Sequence, residues 1–257
     1  MQKSRDPGAV AEHLVGWLRE YVERAGSAGV VFGLSGGIDS AVVCGLAARA
    51  LGPERCLGIV MPIGNVPEDE DLGRQVGEAF GVRVIAPDLL PAFEALESAL
   101  RAEREATGLD ALGPEAALLA GANVKPRLRM ITLYHFANLR NYLVVGTGNK
   151  AELTVGYFTK YGDAGVDLLP LADLTKGEVR AVAQVLGVPA RVIERPPSAG
   201  LWEGQTDEEE LGITYAQIDR YLQEGSSGDA EADAAIRRRF LGSQHKRELP
   251  PIAVVPG

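Results

Sequence analysis

The chain has 257 residues, 46% of them apolar and 24% charged, which allows a sizeable core in one large domain or two small ones. A net charge of −9 excludes a surface that coats nucleic acid, although a polyanionic substrate still fits where basic residues gather locally. No apolar run reaches the length of a membrane span, and the first residues carry Arg5 and Asp6 where a signal region would be apolar. Cys44 and Cys56 match no zinc spacing and read as small core residues, so a cytoplasmic protein with reduced thiols is expected.

In chain order, residues 7–25 place Val10, Leu14, Leu18 and Val22 on one face, with Trp17 and Tyr21 beside them: an amphipathic helix. Val30-Val31-Phe32 then leads through Gly33-Leu34-Ser35-Gly36-Gly37-Ile38-Asp39-Ser40 into an apolar helix to about Leu51, ended by Gly52-Pro53. Cys56 to Pro62 reads as a second strand, and Pro67-Glu68-Asp69-Glu70 opens a helix to about Phe80. Val82 to Leu89 gives a third strand, and Pro91 opens a helix with Phe93, Leu96 and Leu100 at core spacing. Residues 106–116 are expected as loop, 125–140 as helix, and Tyr142 to Val145 as a fourth strand. Val166 to Leu171 is expected as a fifth, and Thr175 with Glu178 forms a capping-box pattern for a helix to about Leu186. Gly225 to Gly228 looks like a flexible joint between two C-terminal helices. Strands that are apolar runs and alternate with helices imply a five-stranded parallel sheet with helices on both faces, an α/β domain.

Two stretches carry chemistry. The glycine turn at 33–40 opens a helix whose first N–H groups and positive dipole end favour an anion. Gly36 and Gly37 let the backbone approach, and Ser35 and Ser40 add hydroxyls. No Gly-Lys-Ser/Thr is present, so this is not a Walker A loop. Asp39 inside it would repel a phosphate unless a cation such as magnesium lay between them; its plainer reading is an acid placed favourably in a helix's first turn.

The second stretch, 123–170, gathers Asn123, Lys125, Arg127 and Arg129, then Gly146-Thr147-Gly148-Asn149-Lys150-Ala151-Glu152, then Tyr157 to Asp163. Three basic residues alone usually mark a solvated helix face, and Gly146-x-Gly148-x-x-Ala151 is only a weak dinucleotide fingerprint, because Asp167 precedes its strand instead of ending it. Spacing leaves Glu152 equally a capping-box partner of Asn149 or a metal ligand.

Ser35-Gly36-Gly37-Ile38-Asp39-Ser40 resembles the pyrophosphate loop of the ATP pyrophosphatases. Joined with Asn123 to Asp173, Arg195 to Trp202, Gln205 to Gly212 and His245-Lys246-Arg247, it resembles the NAD synthetases, in the form without a glutaminase domain, over nearly the whole chain. That resemblance implies the Rossmann-like adenine nucleotide alpha-hydrolase fold, one domain over 1–257, and a homodimer. The implied reaction is amidation of deamido-NAD by ammonia through an acyl-adenylate, with release of AMP and pyrophosphate.

It also implies site residues. Gly33, Leu34, Ser35, Gly36, Gly37, Ile38, Asp39 and Ser40 would hold ATP phosphates, and Asp39 and Glu152 would ligate magnesium. Thr147, Lys176 and Ser198 (a serine where the family often has threonine) would contact ATP, with Lys176 counted in the catalytic set. Arg127, Lys160, Asp163, His245 and Lys246 would contact deamido-NAD; Lys160 also reads as a surface lysine, Asp163 as a turn cap, and the His-Lys-Arg segment as a solvated tail. The family's Gly-Asp-Gly-Gly string stands here as Gly162-Asp163-Ala164-Gly165, and the acidic run Asp207–Glu210 reads as structural, with Thr206 and Glu209 as a capping box. A different ATP pyrophosphatase is the alternative enzyme, but a tRNA-thiolating one would need catalytic cysteines and a basic face. A nucleotide sensor without catalysis would not need both Asp39 and Glu152.

Overall fold

The computed structural model describes residues 5–64, 67–109, 113–196 and 206–255, with Pro67 and Glu115 described by their backbone. It begins with α1 (Pro7–Arg24), β1 (Gly29–Gly33), α2 (Ile38–Leu51) and β2 (Cys56–Ile59). α3 (Pro67–Phe80), β3 (Arg83–Ile85), α4 (Leu90–Thr107) and α5 (Pro114–Ala122) follow. Next come α6 (Val124–Arg140), β4 (Tyr142–Val144), α7 (Lys150–Val155) and α8 (Lys176–Leu186). Four short helices close the chain: α9 (Ala190–Glu194), α10 (Asp207–Leu211), α11 (Tyr215–Glu224) and α12 (Ala230–Gly242).

The sheet is parallel, in the order β3-β2-β1-β4. β1 is its centre because Val30, Val31 and Phe32 are apolar on both faces and fully buried. Val30 and Phe32 point into a core shared with α1, α2 and α8, while Val31, Ile59 and Val144 pack on Leu133 and Ala137 of α6. α2 is apolar nearly all round, as a helix enclosed by α1, α3, α8 and the sheet must be. Cys44 and Cys56 lie in this core, and burial pushes both thiols up to about 12.

Caps set the helix starts. Asp6 Oδ2 accepts from Ala9 N at 2.7 Å ahead of Pro7, and α1 buries Ala11, Val15, Leu18 and Val22. Leu18 and Val22 are buried as expected, but in the first half of the helix Ala11 and Val15 take the buried positions, and Val10 and Leu14 are only partly covered. Thr175 and Glu178 form the expected capping box on α8.

Several expected elements change. Strands two and three end early, at Ile59 and Ile85. The fifth strand reduces, among the described residues, to one parallel bridge between Val145 and Leu168, giving four strands instead of five. Pro170 has no N–H to extend a ladder, and the Asp167 side chain takes the Val144 N–H at 2.8 Å. The expected loop at 106–116 is interrupted: α4 runs to Thr107 and α5 starts at Pro114, where proline suits a helix's first position. The segment from Gly225 to Gly228 is a built turn and not a flexible joint. Ser227 is buried and donates to Asp233 Oδ1 from its nitrogen at 2.7 Å, and Ser226 Oγ donates to Oδ2 at 2.7 Å.

α10, α11 and α12 form a second cluster, in which Leu211, Ile213, Ile218, Ala232 and Ile236 pack on Ala151 and Val155 of α7. That contact brings the C-terminal helices against the loop that follows β4.

Candidate active site at the switch point of the sheet

In the order β3-β2-β1-β4 the chain leaves β1 toward β2 on one side and returns to β4 on the other, so the crevice beyond their C-terminal ends is the topological switch point. The loop Gly33–Ser40 follows β1, and residues 145–152 follow β4. Both chemistry-bearing stretches therefore end at one crevice.

The first loop is wound on its own serines. Gly37 N donates to Ser35 Oγ at 3.2 Å, Ser35 N to Ser40 Oγ at 3.3 Å, and Ser40 Oγ to Gly37 O at 2.9 Å. Gly37 caps α2 with no side-chain acceptor on the first turn, leaving those N–H groups directed at the crevice. Gly36 has φ +74°, and a Cβ there would stand 2.8 Å from the Asp69 carbonyl oxygen, so only glycine fits. Arg195, ion-paired with Asp69, borders the same turn.

Asp39, in the first turn of α2, meets the second stretch through Asn149. The Asn149 side chain is fully buried and works at both ends: its Oδ1 accepts from Glu152 N at 3.1 Å as the cap of α7, and its Nδ2 donates to Asp39 Oδ1 at 2.9 Å. Glu152 completes the capping box, its Oε2 accepting from Asn149 N at 3.1 Å. The two readings of Glu152 are thus compatible, because its other oxygen, Oε1, remains directed at the crevice. Lys176, buried at the start of α8, lies between the carboxylates, 2.5 Å from Asp39 Oδ2 and 3.3 Å from Glu152 Oε1.

This arrangement places one ammonium between two carboxylates. Burial alone would discharge Lys176, but Asp39 and Glu152 together raise its pKa above that of an ordinary lysine. Glu152 is raised by burial; Lys176 opposes that shift and the Asp39 charge adds to it. Glu152 is therefore a carboxylate whose charged form burial disfavours. Two hard oxygen donors converging on a cationic position suit a divalent ion such as magnesium that draws its other ligands from phosphate and water. Among the described residues no group of three His, Cys, Asp or Glu is set to hold a metal by itself.

Behind this centre stands the C-terminal cluster. Tyr215 donates its hydroxyl proton to Asp207 Oδ2 at 2.8 Å, and the same oxygen lies 3.4 Å from Glu152 Oε1. The Lys176 ammonium sits 4.8 Å above the Tyr215 ring centre.

The residues expected at deamido-NAD gather separately, around the turn 157–163. Asp163 accepts from Thr159 N at 2.8 Å, a turn cap as well as a charge; desolvation by the surrounding protein raises its pKa and that N–H opposes the rise. Arg127 is exposed and bonds the Lys160 carbonyl at 3.4 Å, and Lys160 Nζ donates to the His245 carbonyl at 2.6 Å. Lys246 donates to Gly156 O and Phe158 O at 2.9 and 2.8 Å, and Arg247 to Leu153 O at 3.0 Å. The His-Lys-Arg segment is therefore tied to the C-terminal end of α7 and is not a solvated tail. Asp167 caps β4 and accepts from Tyr134 at 3.0 Å, which removes it from the dinucleotide-fingerprint reading. Thr147 is half-buried in the loop after β4. Ser198 lies outside the described residues.

Sequence reading missed four contributors. Asn149 was visible only as a cap, although a capping asparagine still has an amide to place. Arg195 stood in a matched motif without a role. Asp207 was read as structural, and Tyr215 carried no signal because it lies 63 positions beyond Glu152.

The family model described as NAD synthase matches residues 10–250. The NH(3)-dependent NAD(+) synthetase of Carboxydothermus hydrogenoformans is 48% identical over 244 residues, covering 95% of this chain and 96% of that protein. The structure of NMN synthetase from Francisella tularensis superposes with a TM-score of 0.87 at 35% identity, covering 98% of this chain and 99% of that one. The NH3-dependent NAD synthetase from Campylobacter jejuni, in complex with nitrate, superposes with a TM-score of 0.78 at 26% identity over 97% of this chain and 100% of that one.

Proposed function

The chain belongs to the NAD synthase family and converts deamido-NAD to NAD with ATP and ammonia, the last step of NAD biosynthesis, and we propose that Asp39, Glu152 and Lys176 are the centre of that reaction. The observation that carries the assignment is the Lys176 bridge between two carboxylates at the mouth of an open helix N-terminus.

A free carboxylate resists ammonia because oxide is a hopeless leaving group. In the proposed sequence the nicotinate carboxylate oxygen bonds the α-phosphorus of ATP, and the bond from that phosphorus to pyrophosphate breaks. Ammonia then attacks the acyl carbon, AMP departs with the bonding pair, and the nitrogen loses a proton. Charge accumulates on the phosphates in the first step, so positioning and cationic stabilisation supply most of the rate. The Gly33–Ser40 loop cradles the phosphates with its N–H groups, and Thr147 and Ser198 add hydroxyls. Lys176 supplies positive charge that its two carboxylates keep protonated. Asp39 and Glu152 are the residues that would hold magnesium, which when bound neutralises phosphate charge. Arg127, Lys160, Asp163, His245 and Lys246 are proposed to receive deamido-NAD. The described contacts support this by placing these residues around one turn.

We treat 1–257 as a single synthetase domain that takes ammonia from outside itself, in the cytoplasm, as a homodimer. Free cysteines in the core support the compartment, and no described helix is long and apolar enough to cross a membrane. Exposed leucines on α4 and α5 support the dimer.

The test incubates purified protein with ATP, magnesium and deamido-NAD, with ammonium or glutamine in parallel, and reads products by mass spectrometry. NAD and AMP with ammonium alone are expected; neither product with either donor would overturn the reading. The likeness to the Francisella NMN synthetase favours one second reading, amidation of the deamido mononucleotide. Competing the two substrates in one reaction decides between them, and the dinucleotide is expected to win.

A further inference from the structure

Asp207 and Tyr215 belong to the C-terminal cluster, yet both are buried against the centre built by the sheet loops, with exposures of 4% and 5%. Tyr215 reaches both Glu152 and Lys176: its hydroxyl stands 3.4 Å from Glu152 Oε1, and its ring lies 4.8 Å beneath the Lys176 ammonium.

A phenol has a single proton. At 2.8 Å, Asp207 Oδ2 is much the nearer acceptor and takes the larger share of it, so the hydroxyl reaches Glu152 Oε1 only as a long second contact at 3.4 Å. A hydroxyl proton aimed wholly at Glu152 would draw that carboxylate toward the C-terminal helices and away from Lys176. With the proton held mainly by Asp207, Oε1 keeps its contact with the ammonium at 3.3 Å. The ring face meanwhile attracts the ammonium by its quadrupole and restricts the lysine side chain at its charged end. Asp207 is itself fixed by its place in the first turn of α10, whose cap Thr206 Oγ1 accepts from Glu209 N at 3.4 Å.

We propose that Tyr215, oriented by Asp207, is a positioning residue that fixes Glu152 and Lys176 relative to one another. It deepens the preceding reading and rests on Glu152 and Lys176 working in the reaction. The acidic run at 207–210 therefore serves more than helix capping: its first member sets the direction of a hydroxyl in the centre.

The experiment compares wild type, Tyr215→Phe, Tyr215→Leu, Asp207→Asn, the double variant Y215F/D207N and Glu152→Gln as full-length protein. It measures kcat, KM for ATP and deamido-NAD, and the thermal midpoint. Tyr215→Phe keeps the ring and removes the oxygen; kcat is expected to fall about 10- to 100-fold, the range for partners that orient a working group, with the midpoint held. KM should stay within about threefold, because substrate contacts are intact. Tyr215→Leu, which also removes the ring beneath Lys176, is expected to fall further. Because the two residues act as a unit, Y215F/D207N should be no slower than the worse single variant. In a crystal structure of Tyr215→Phe, Lys176 Nζ and Glu152 Oε1 are expected to separate beyond contact distance.

Wild-type kcat in Tyr215→Phe, with Glu152→Gln inactive, would overturn the positioning role alone. Wild-type kcat in Glu152→Gln would overturn the underlying site. Activity losses that follow only a lowered midpoint, or that multiply in the double variant, would make the pair structural and also overturn the proposal.

Discussion

Asp39 is divided between two neighbours: one oxygen accepts from Asn149 and the other from Lys176. Its charge balances the lysine, while its place in the first turn of α2 sets it beside the N–H groups that open that helix. Asp39→Asn keeps the shape and one hydrogen bond but loses the charge. Lys176 keeps Glu152 as a partner at 3.3 Å, so the fold is expected to survive, as judged by circular dichroism and thermal midpoint. Turnover with ATP should fall about a hundredfold or more, since the carboxylate proposed to hold magnesium and balance Lys176 loses its charge. Normal turnover in the folded variant would remove Asp39 from the mechanism. The same geometry shows what a residue string leaves out. Asn149 and Glu152 looked like a cap, and they are one; that the cap's spare amide bonds Asp39 depends on two loops meeting.

At the scale of elements, the start of α8 determines where Lys176 stands. Its capping box is reinforced from outside by Arg5, which donates to Glu178 Oε1 at 2.7 Å and to Asp173 Oδ2 at 2.8 Å. Lys150, then Arg5, holds the Asp173 carboxyl below the usual range. Glu178 is held low by Arg5 against the partial burial that would raise it. Depressed carboxyl values add stability that is fully present above the unfolded-state values and is lost as pH falls through the folded ones. Arg5→Ala is therefore expected to lower stability at neutral pH, by less than about 1 kcal/mol because Arg5 and Asp173 are largely exposed. The gap from wild type should close in acid, as pH falls through the depressed folded-state values and both carboxyls become protonated. Urea titrations of both proteins at neutral and acid pH measure it. A gap that widens in acid would contradict the assignment.

At the scale of the whole molecule, the apolar surface is unevenly distributed. Leu96 and Leu100 on α4 and Leu118 and Leu119 on α5 are all at least 40% exposed, and Ile131 and Leu139 of α6 are exposed as well. Burying such side chains is favourable, at about 25 cal/mol per Å2 of apolar area, and the proposed homodimer is expected to use them. Sedimentation equilibrium is expected to give about twice the 27.3 kDa chain mass. Replacing Leu118 and Leu119 by glutamate should shift the protein toward monomer without loss of helix. A wild-type monomer at micromolar concentration would contradict the homodimer.

The parallel α/β class, the glycine turn after β1 and the family were legible in the sequence, because these rest on local facts. Apolar runs on both faces, glycines at a tight turn and a distinctive string are all readable within a few neighbours. Helix starts at Pro7 and Lys176 were equally legible, the second because a capping side chain lay three residues away. Strand lengths were not, since a strand ends where its partner stops offering hydrogen bonds. Val166 to Leu171 is apolar enough for a strand, yet Pro170 and the Asp167 side chain leave one bridge. Only the tertiary structure brought Asp39, Asn149, Glu152, Lys176, Asp207 and Tyr215 together. They come from four separate regions of the chain, and what joins them is the strand order at the switch point and the packing of α7 against the C-terminal helices. Side-chain partnership across such separations is fixed by backbone topology, and no local pattern of residues encodes it.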